Sequence, residues 1–186
     1  MIYSDALQDI EEILDLSEGQ AAFNQHRGIA YILKAYAYQL ATDAFGDIPL
    51  SEATDPENTN PTYNPQQQVY DSIFAFIERG IDLVDVDAVA HPTSDDLMYG
   101  GDMEQWLRFA NTLMLRAYLR LSEVDPTKAA AGIATLDNAQ FLEEDAQISY
   151  ASIGGNQNPL FSEMLGLNRV QNLVASETVT KFMTQN

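Results

Sequence analysis

Apolar residues recur every third or fourth position along most of this 186-residue chain, and that period limits the fold to packed helices more tightly than any motif does. Leu7, Ile10, Ile13 and Leu14 describe a short first helix, with Ser4 as its N-cap, that stops before Gly19. A longer one, about residues 21–45, carries Ile29, Leu33, Tyr36 and Leu40 on a stripe and is closed by Gly46. Gly28 lies inside it at a cost of about 1 kcal/mol against Ala, which marks either a close helix contact or a weak point. Residues 46–65 hold Pro49, Pro56, Pro61 and Pro65 with Asn58, Asn60 and Asn64, a loop by composition and long enough to suggest a function.

Asn64 is expected to cap a third helix with Pro65 at its first position, continued by Val69, Ile73, Ile77, Ile81 and Val84. A second loop covers about residues 85–101. A fourth helix over 102–122 places Trp106, Ala110, Leu113, Ala117 and Leu121 on one face, and a fifth starts at the Asp125-Pro126 cap and runs to about Leu136. Beyond Phe141 the pattern weakens: QISYASI reads as an extended piece, NPLFSEML as a short helix, and Ser176 as the cap of a last helix through Met183. Helices two and three, then four and five, form two hairpins, and LKAY at 33–36 is echoed by LRAY at 115–118. The expected fold is therefore all-α: stacked antiparallel helical hairpins, tetratricopeptide-like, with long irregular loops, in a single helical domain over residues 1–186.

Charge and composition narrow the function. Nine Lys and Arg stand against 28 Asp and Glu, a net charge of −19, so a nucleic-acid partner held through phosphates is excluded. With no Cys there are no disulfides, thiolate metal sites or thiol nucleophiles. No run reaches the roughly 18 consecutive apolar residues of a membrane span, and the opening MIYSDALQDIEEILDL lacks the basic and apolar regions of a signal peptide. His26 and His91 have no nucleophile or ligand partner at a recognisable spacing, and no hydrolase, metalloprotease or nucleotide-binding motif occurs. Acid pairs such as Asp95-Asp96 and Glu143-Glu144 are ordinary neighbours in so acidic a chain. No enzymatic activity is expected. TDPENTN (54–60) and DLVDVDA (82–88) cluster oxygen donors of the kind calcium takes, but neither fits a calcium-loop pattern. The reading is no metal and no cofactor.

Two constellations remain. Asp43 and Asp47 flank the C-terminal end of the second helix, where the helix dipole repels negative charge, and Arg108, Arg116 and Arg120 line one side of the fourth helix with Thr112. A carboxylate-to-Arg clamp between hairpins would satisfy both. Among the aromatics, Tyr63 and Tyr99 lie in loops beside Asn64 and Asp102, where a tyrosine can stack on a sugar face while its neighbours bond the hydroxyls. Tyr63, Asn64, Tyr99 and Asp102 are the candidate ligand-binding residues.

The runs GIAYILKAYAYQLATDAFGDIPLSEA (28–53), YNPQQQVYDSIFAFIERGIDLVD (63–85) and YGGDMEQWLRFANTLMLRAYLRLS (99–122) resemble, in order, the SusD/RagB family, and more closely its SusD-like nutrient-uptake lipoproteins. Asp43, Phe45, Gly46, Asp47 and Pro49 match the family's helix-end turn, Tyr70 and Asp71 its next helix, and Gly101, Asp102, Trp106, Phe109, Asn111 and Arg116 its later one. These positions read as fold-determining. The resemblance implies a cell-surface lipoprotein of a Gram-negative outer membrane, lying as a lid over a TonB-dependent transporter of the SusC type. It implies capture of an oligosaccharide or polysaccharide, or in some members a peptide, without hydrolysis. Family members run to several hundred residues and carry a signal peptide and a lipid-bearing Cys; this chain reads as a central piece of such a protein. The competing reading is a helical-repeat scaffold that contacts only other proteins and binds no sugar.

Overall fold

A computed structural model describes residues 2–55, 57–151, 155, 157–166 and 176–184. The chain divides into two compact units, Met1–Ala146 and Gln147–Asn186. In the first, a π turn over Ile2–Leu7 leads into α1 (Gln8–Leu16), and a short 3-10 turn leads into α2 (Asn24–Phe45). The strand pair β1 (Ile48–Pro49) and β2 (Tyr63–Asn64) brackets the proline loop, followed by α3 (Gln66–Leu83), α4 (Met103–Arg120) and α5 (Pro126–Ala134). The second unit holds α6 (Pro159–Phe161), a π turn over Ser162–Gly166, and α7 (Glu177–Thr184).

α2 is the axis of the first unit because its sequence allows neighbours on several sides. Ala30, Ala35, Ala37 and Ala41 are buried along it, and such small side chains let helices approach closely. α1 lays Ile10 and Leu14 against Ala30, and Lys34 reaches Glu11 at 2.5 Å. On another side α3 packs through Val69, Ile73 and Ile77, all fully buried with Ile32 and Tyr38. Gly28 marks the close contact: a Cβ there would stand 2.8 Å from Val84 Cγ2 and 3.1 Å from the Gly80 carbonyl oxygen. Its helix cost is offset by the tight crossing it permits. α4 adds Trp106, Ala110, Leu113 and Ala117 to the same core. α5 lies on Tyr118, which itself stacks on Phe74 at 4.3 Å between centroids.

Helix ends follow the sequence with informative exceptions. Gly46 closes α2 at φ +77°, Asp102 caps α4 by accepting from the Gln105 amide, and Asp125 caps α5 by accepting from Lys128, with Pro126 in the first turn. Ser4 lies inside the π turn instead of capping α1. Asn64 does not cap α3. It pairs with Ile48 in the two-stranded ladder, its Oδ1 accepts the Leu50 and Ser51 amides at 3.0 and 3.3 Å, and the residue before α3 is Pro65. The cap arrives from across the turn, where Asp47 Oδ1 accepts the Gln66 amide at 2.9 Å. Phe45, matched as fold-determining, is 77 % exposed; the chain reversal at Gly46 and the Asp47 bond shape this turn without it.

In the second unit Asn158 caps α6 by accepting the Leu160 and Phe161 amides, and Lys181 pairs with Glu177 within α7. α7 begins just after Ser176, whose carbonyl accepts the Thr180 amide. Of the expected extended piece QISYASI, residues 147–151 are irregular, and Ser152 and Ile153 lie outside the described residues.

Candidate functional site

The four candidate residues fall at opposite ends of the α2–α3–α4 layer. At the N-terminal end of α2, Gln25 Oε1 accepts the Asp85 amide and His26 Nε2 lies 3.3 Å from Asp95 Oδ2, so the loop carrying Tyr99 and Asp102 belongs to this end. At the other end Asp43 and Asp47 meet Arg120 and Gln66, next to Tyr63 and Asn64. The 22 residues of α2 span about 33 Å, so one small ligand does not reach all four.

The first end is built around Asp96. Its Oδ1 accepts the Met98 and Tyr99 amides, and its Oδ2 accepts the Gly101 amide at 2.9 Å and the Trp106 indole N–H at 2.8 Å. Burial raises the Asp96 carboxyl, but these donors outweigh burial and hold it below the ordinary value. Gly101 sits at φ +90° with room for no side chain, since a Cβ would lie 2.0 Å from the Pro92 carbonyl oxygen. Tyr99 packs edge-on against Trp106 at 5.1 Å, and burial pushes its hydroxyl up. His91 Nδ1 donates to the Pro92 carbonyl. Asp102 is occupied as a helix cap. The glycines, Asp96, Tyr99 and Trp106 thus form a knot that starts α4 instead of an open pocket.

The opposite end is open. Tyr63 is 67 % exposed on β2. The adjoining loop is drawn in by Glu52, whose Oε2 accepts the Thr62 amide at 2.8 Å and the Asn58 side chain at 3.0 Å; the Thr62 bonds hold its carboxyl below the usual range. Asp55 and Asn58 fold back onto the Glu57 and Asn60 amides, and Asp85 onto that of Asp87. One side-chain oxygen each of Asp55, Asn58 and Asp85, within the calcium-like stretches, is thus engaged in a local turn. Beneath, Tyr3 donates to the Pro49 carbonyl at 2.8 Å, and burial, with Tyr63 nearby, pushes it up to about 12.

Beside this loop a cleft of about 500 Å³ opens between the start of α3 and the end of α4, lined by Gln66, Gln67, Tyr70, Asp71, Arg120 and Lys128 among others. Asp43 anchors it, accepting from Tyr70 at 2.5 Å and forming an ion pair with Arg120, whose Nε lies 2.9 Å from Oδ2; burial, then the Tyr70 bond, raises the Tyr70 hydroxyl. Lys128 pairs with Asp71. The carboxylate-to-Arg clamp between helices therefore exists, but through Arg120 alone. Arg116 donates Nε and one terminal nitrogen to the buried amide of Gln39, at 2.8 and 2.5 Å, and lies over the Tyr36 ring. Arg108 stands 3.7 Å from Glu143, and Asp47 answers a backbone amide. Asn111 and Thr112 strap residues 140–142 to α4 by bonding the Gln140 carbonyl and the Leu142 amide. Sequence reasoning had not joined Gln66, Gln67 and Lys128 to a site; the run of glutamines ahead of Tyr70 and Asp71 was the available signal.

Among the described residues no group of three His, Cys, Asp or Glu is placed to hold a metal ion, and no helix is long and apolar enough to cross a membrane. Stacked antiparallel hairpins, a glycine-and-aspartate knot and a polar cleft with an exposed tyrosine define a helical-repeat protein of the tetratricopeptide-like class. Residues 1–186 match the SusD-like family described as "starch-binding associating with outer membrane". The chain belongs to that family. It is similar to a SusD homologue from Bacteroides uniformis, at 29% identity and TM-score 0.73, covering 86% of this chain and 33% of that one. A chitin-binding SusD homologue from Flavobacterium johnsoniae matches at 26% identity and TM-score 0.74, over 89% of this chain and 35% of that one. A further chitin-binding protein matches at 29% identity and TM-score 0.69, over 77% of this chain and 30% of that one. The chain thus spans about a third of the length of these structures. No curated protein matches it.

Proposed function

We propose that this chain is part of a non-enzymatic glycan-binding protein of an outer-membrane nutrient-uptake complex, exposed on the cell surface, that captures oligosaccharides for a TonB-dependent transporter of the SusC type. The observation that carries the reading is the family match over residues 1–186 together with the structural likeness to two proteins described as chitin-binding. The open end of the hairpins supports it: Tyr63 offers an uncovered ring beside a polar cleft, the combination that stacks on a sugar face and bonds its hydroxyls. Asn64 acts in this reading by shaping the backbone beside Tyr63, while Tyr99 and Asp102, at the other end of the layer, serve the start of α4.

Native affinity electrophoresis tests it. In gels cast with glycol chitin or soluble starch the chain is expected to migrate more slowly than in plain gels, and Tyr63→Ala is expected to relieve most of the retardation. Incubation with the same polysaccharides is expected to release no reducing ends. Unretarded migration across a broad polysaccharide panel overturns the glycan reading.

A further inference from the structure

The cleft between α3 and α4 has a charge pattern that none of the preceding argument uses. Its two cations are committed in place: Arg120 to Asp43 and Lys128 to Asp71. Asp125, on the rim, accepts the Lys128 amide as a helix cap. Three carboxylates against two cations leave the cleft slightly negative, inside a chain of net charge −19. The net negative charge disfavours an anionic ligand on approach and the cations it would need are already paired, while a cationic ligand gains only by breaking pairs already formed.

What the cleft offers besides its ion pairs is hydrogen-bonding capacity. Among the described residues Arg120 spends only Nε on Asp43 and Asp71 only Oδ1 on Lys128, leaving guanidinium N–H groups and a carboxylate oxygen for a ligand. Gln66 uses its Nε2 on the Thr42 carbonyl and keeps Oε1. Gln67 is exposed at the lip, and Leu121 and Val124 give an apolar edge. Paired donors and acceptors next to an apolar strip match a ligand with many hydroxyls and a C–H face, and a volume of about 500 Å³ lies within the ordinary range of small-ligand sites.

We propose that this cleft is a saccharide subsite specific for uncharged glycans, excluding uronate- and sulfate-bearing ones. The inference rests on the glycan reading above and names its substrate class. The test is isothermal titration of the chain with maltohexaose and chitohexaose on one side, and with oligogalacturonate and heparin-derived hexasaccharide on the other. It is repeated on Gln67→Ala and Gln67→Trp, which alter the lip without touching the Asp43, Tyr70 and Arg120 contacts, with melting curves to verify folding. Expected is heat with a neutral hexasaccharide only, and a loss of about fivefold or more in affinity in both variants. Neutral binding that both variants leave unchanged overturns the cleft as the site while the glycan reading stands. Equal or tighter binding of an acidic glycan overturns the charge selection, again with the glycan reading intact. No binding of any saccharide removes the glycan reading and this proposal with it.

Discussion

Asp96 shows how much one side chain decides. Both of its oxygens are used, each by two N–H donors, and the four bonds hold together the 98–101 turn and the first turn of α4. Asparagine is nearly the same size, yet it has one acceptor oxygen and an amide that would face two of those donors. Asp96→Asn is expected to destabilise the chain by about 2–3 kcal/mol, read as a lower urea midpoint with unchanged slope. A pH signature accompanies it. The folded-state carboxyl titrates below the ordinary 3.8, so its stabilisation is complete above that value and is lost as pH falls through the depressed one. Stability of the parent should therefore fall more steeply below pH 4 than that of Asp96→Asn; parallel curves would show that the charge contributes nothing. Sequence had marked Gly101, Asp102 and Trp106, but Asp96 passed as half of a chance acidic pair, because a hydrogen-bond hub formed across ten residues leaves no periodic trace.

At the scale of elements, the α2–α3 crossing sets the spacing of the hairpin. Gly80 is the mate of Gly28: a Cβ on it would stand 2.6 Å from Ile32 Cγ1 and 2.9 Å from the Gly28 carbonyl oxygen. Alanine gains about 1 kcal/mol of helix propensity, but one of the atoms in its way is backbone and cannot swing aside, so the helices must part. Gly80→Ala is expected to lose about 2 kcal/mol net in thermal or urea melts, and a neutral or stabilising result would mean that the crossing is looser than these distances. The helices themselves were legible, and α3 and α4 bury most of the stripe that their spacing announces; in α2 the stripe read from the spacing is off the core face, Ile29, Leu33 and Tyr36 being half-buried and Leu40 43 % exposed, because Ile32, Ala35 and Tyr38 face the neighbouring helices instead. Their ends were legible where the cap is local, as at Asp102 and Asp125. They were not where the cap comes from elsewhere: Asp47 reaches Gln66 over nineteen positions, which freed Asn64 for the strand pair. The clamp was read with three possible arginines, and the packing of α4 on α2, invisible in sequence, sets Arg120 against Asp43 and Arg116 against Gln39. Tyr63 and Tyr99 looked alike as loop tyrosines; packing on Trp106 separates them.

For the molecule as a whole, charge is the dominant field. Twenty-eight acids and nine bases leave most carboxylates without a cation, and of those that have one Asp71 and Glu143 sit at exposed positions where a pair is worth little, whereas the side chains of Asp43 and Glu11 are mostly buried. Self-repulsion therefore outweighs surface pairing, and screening should relieve it, because the Debye length shrinks from about 30 Å at 0.01 M salt to about 10 Å at 0.1 M. The melting midpoint is expected to rise by about 3 °C or more between those concentrations of sodium chloride, since 1 kcal/mol moves the midpoint of a chain this size by about 2–4 °C. A midpoint that falls with salt would mean that the buried part of the Asp43–Tyr70–Arg120 clamp, which salt reaches poorly, is not what the ion pairs contribute, and that exposed pairs hold the hairpins instead. The same field bears on ligand choice. On the glycan reading proposed above, a net charge of −19 disfavours acidic chains on approach and leaves neutral, hydroxyl-rich ones unaffected. Salt should accordingly leave the affinity for a neutral saccharide unchanged, and salt-independent binding measured by titration at both concentrations would place recognition in hydrogen bonds and stacking rather than in charge.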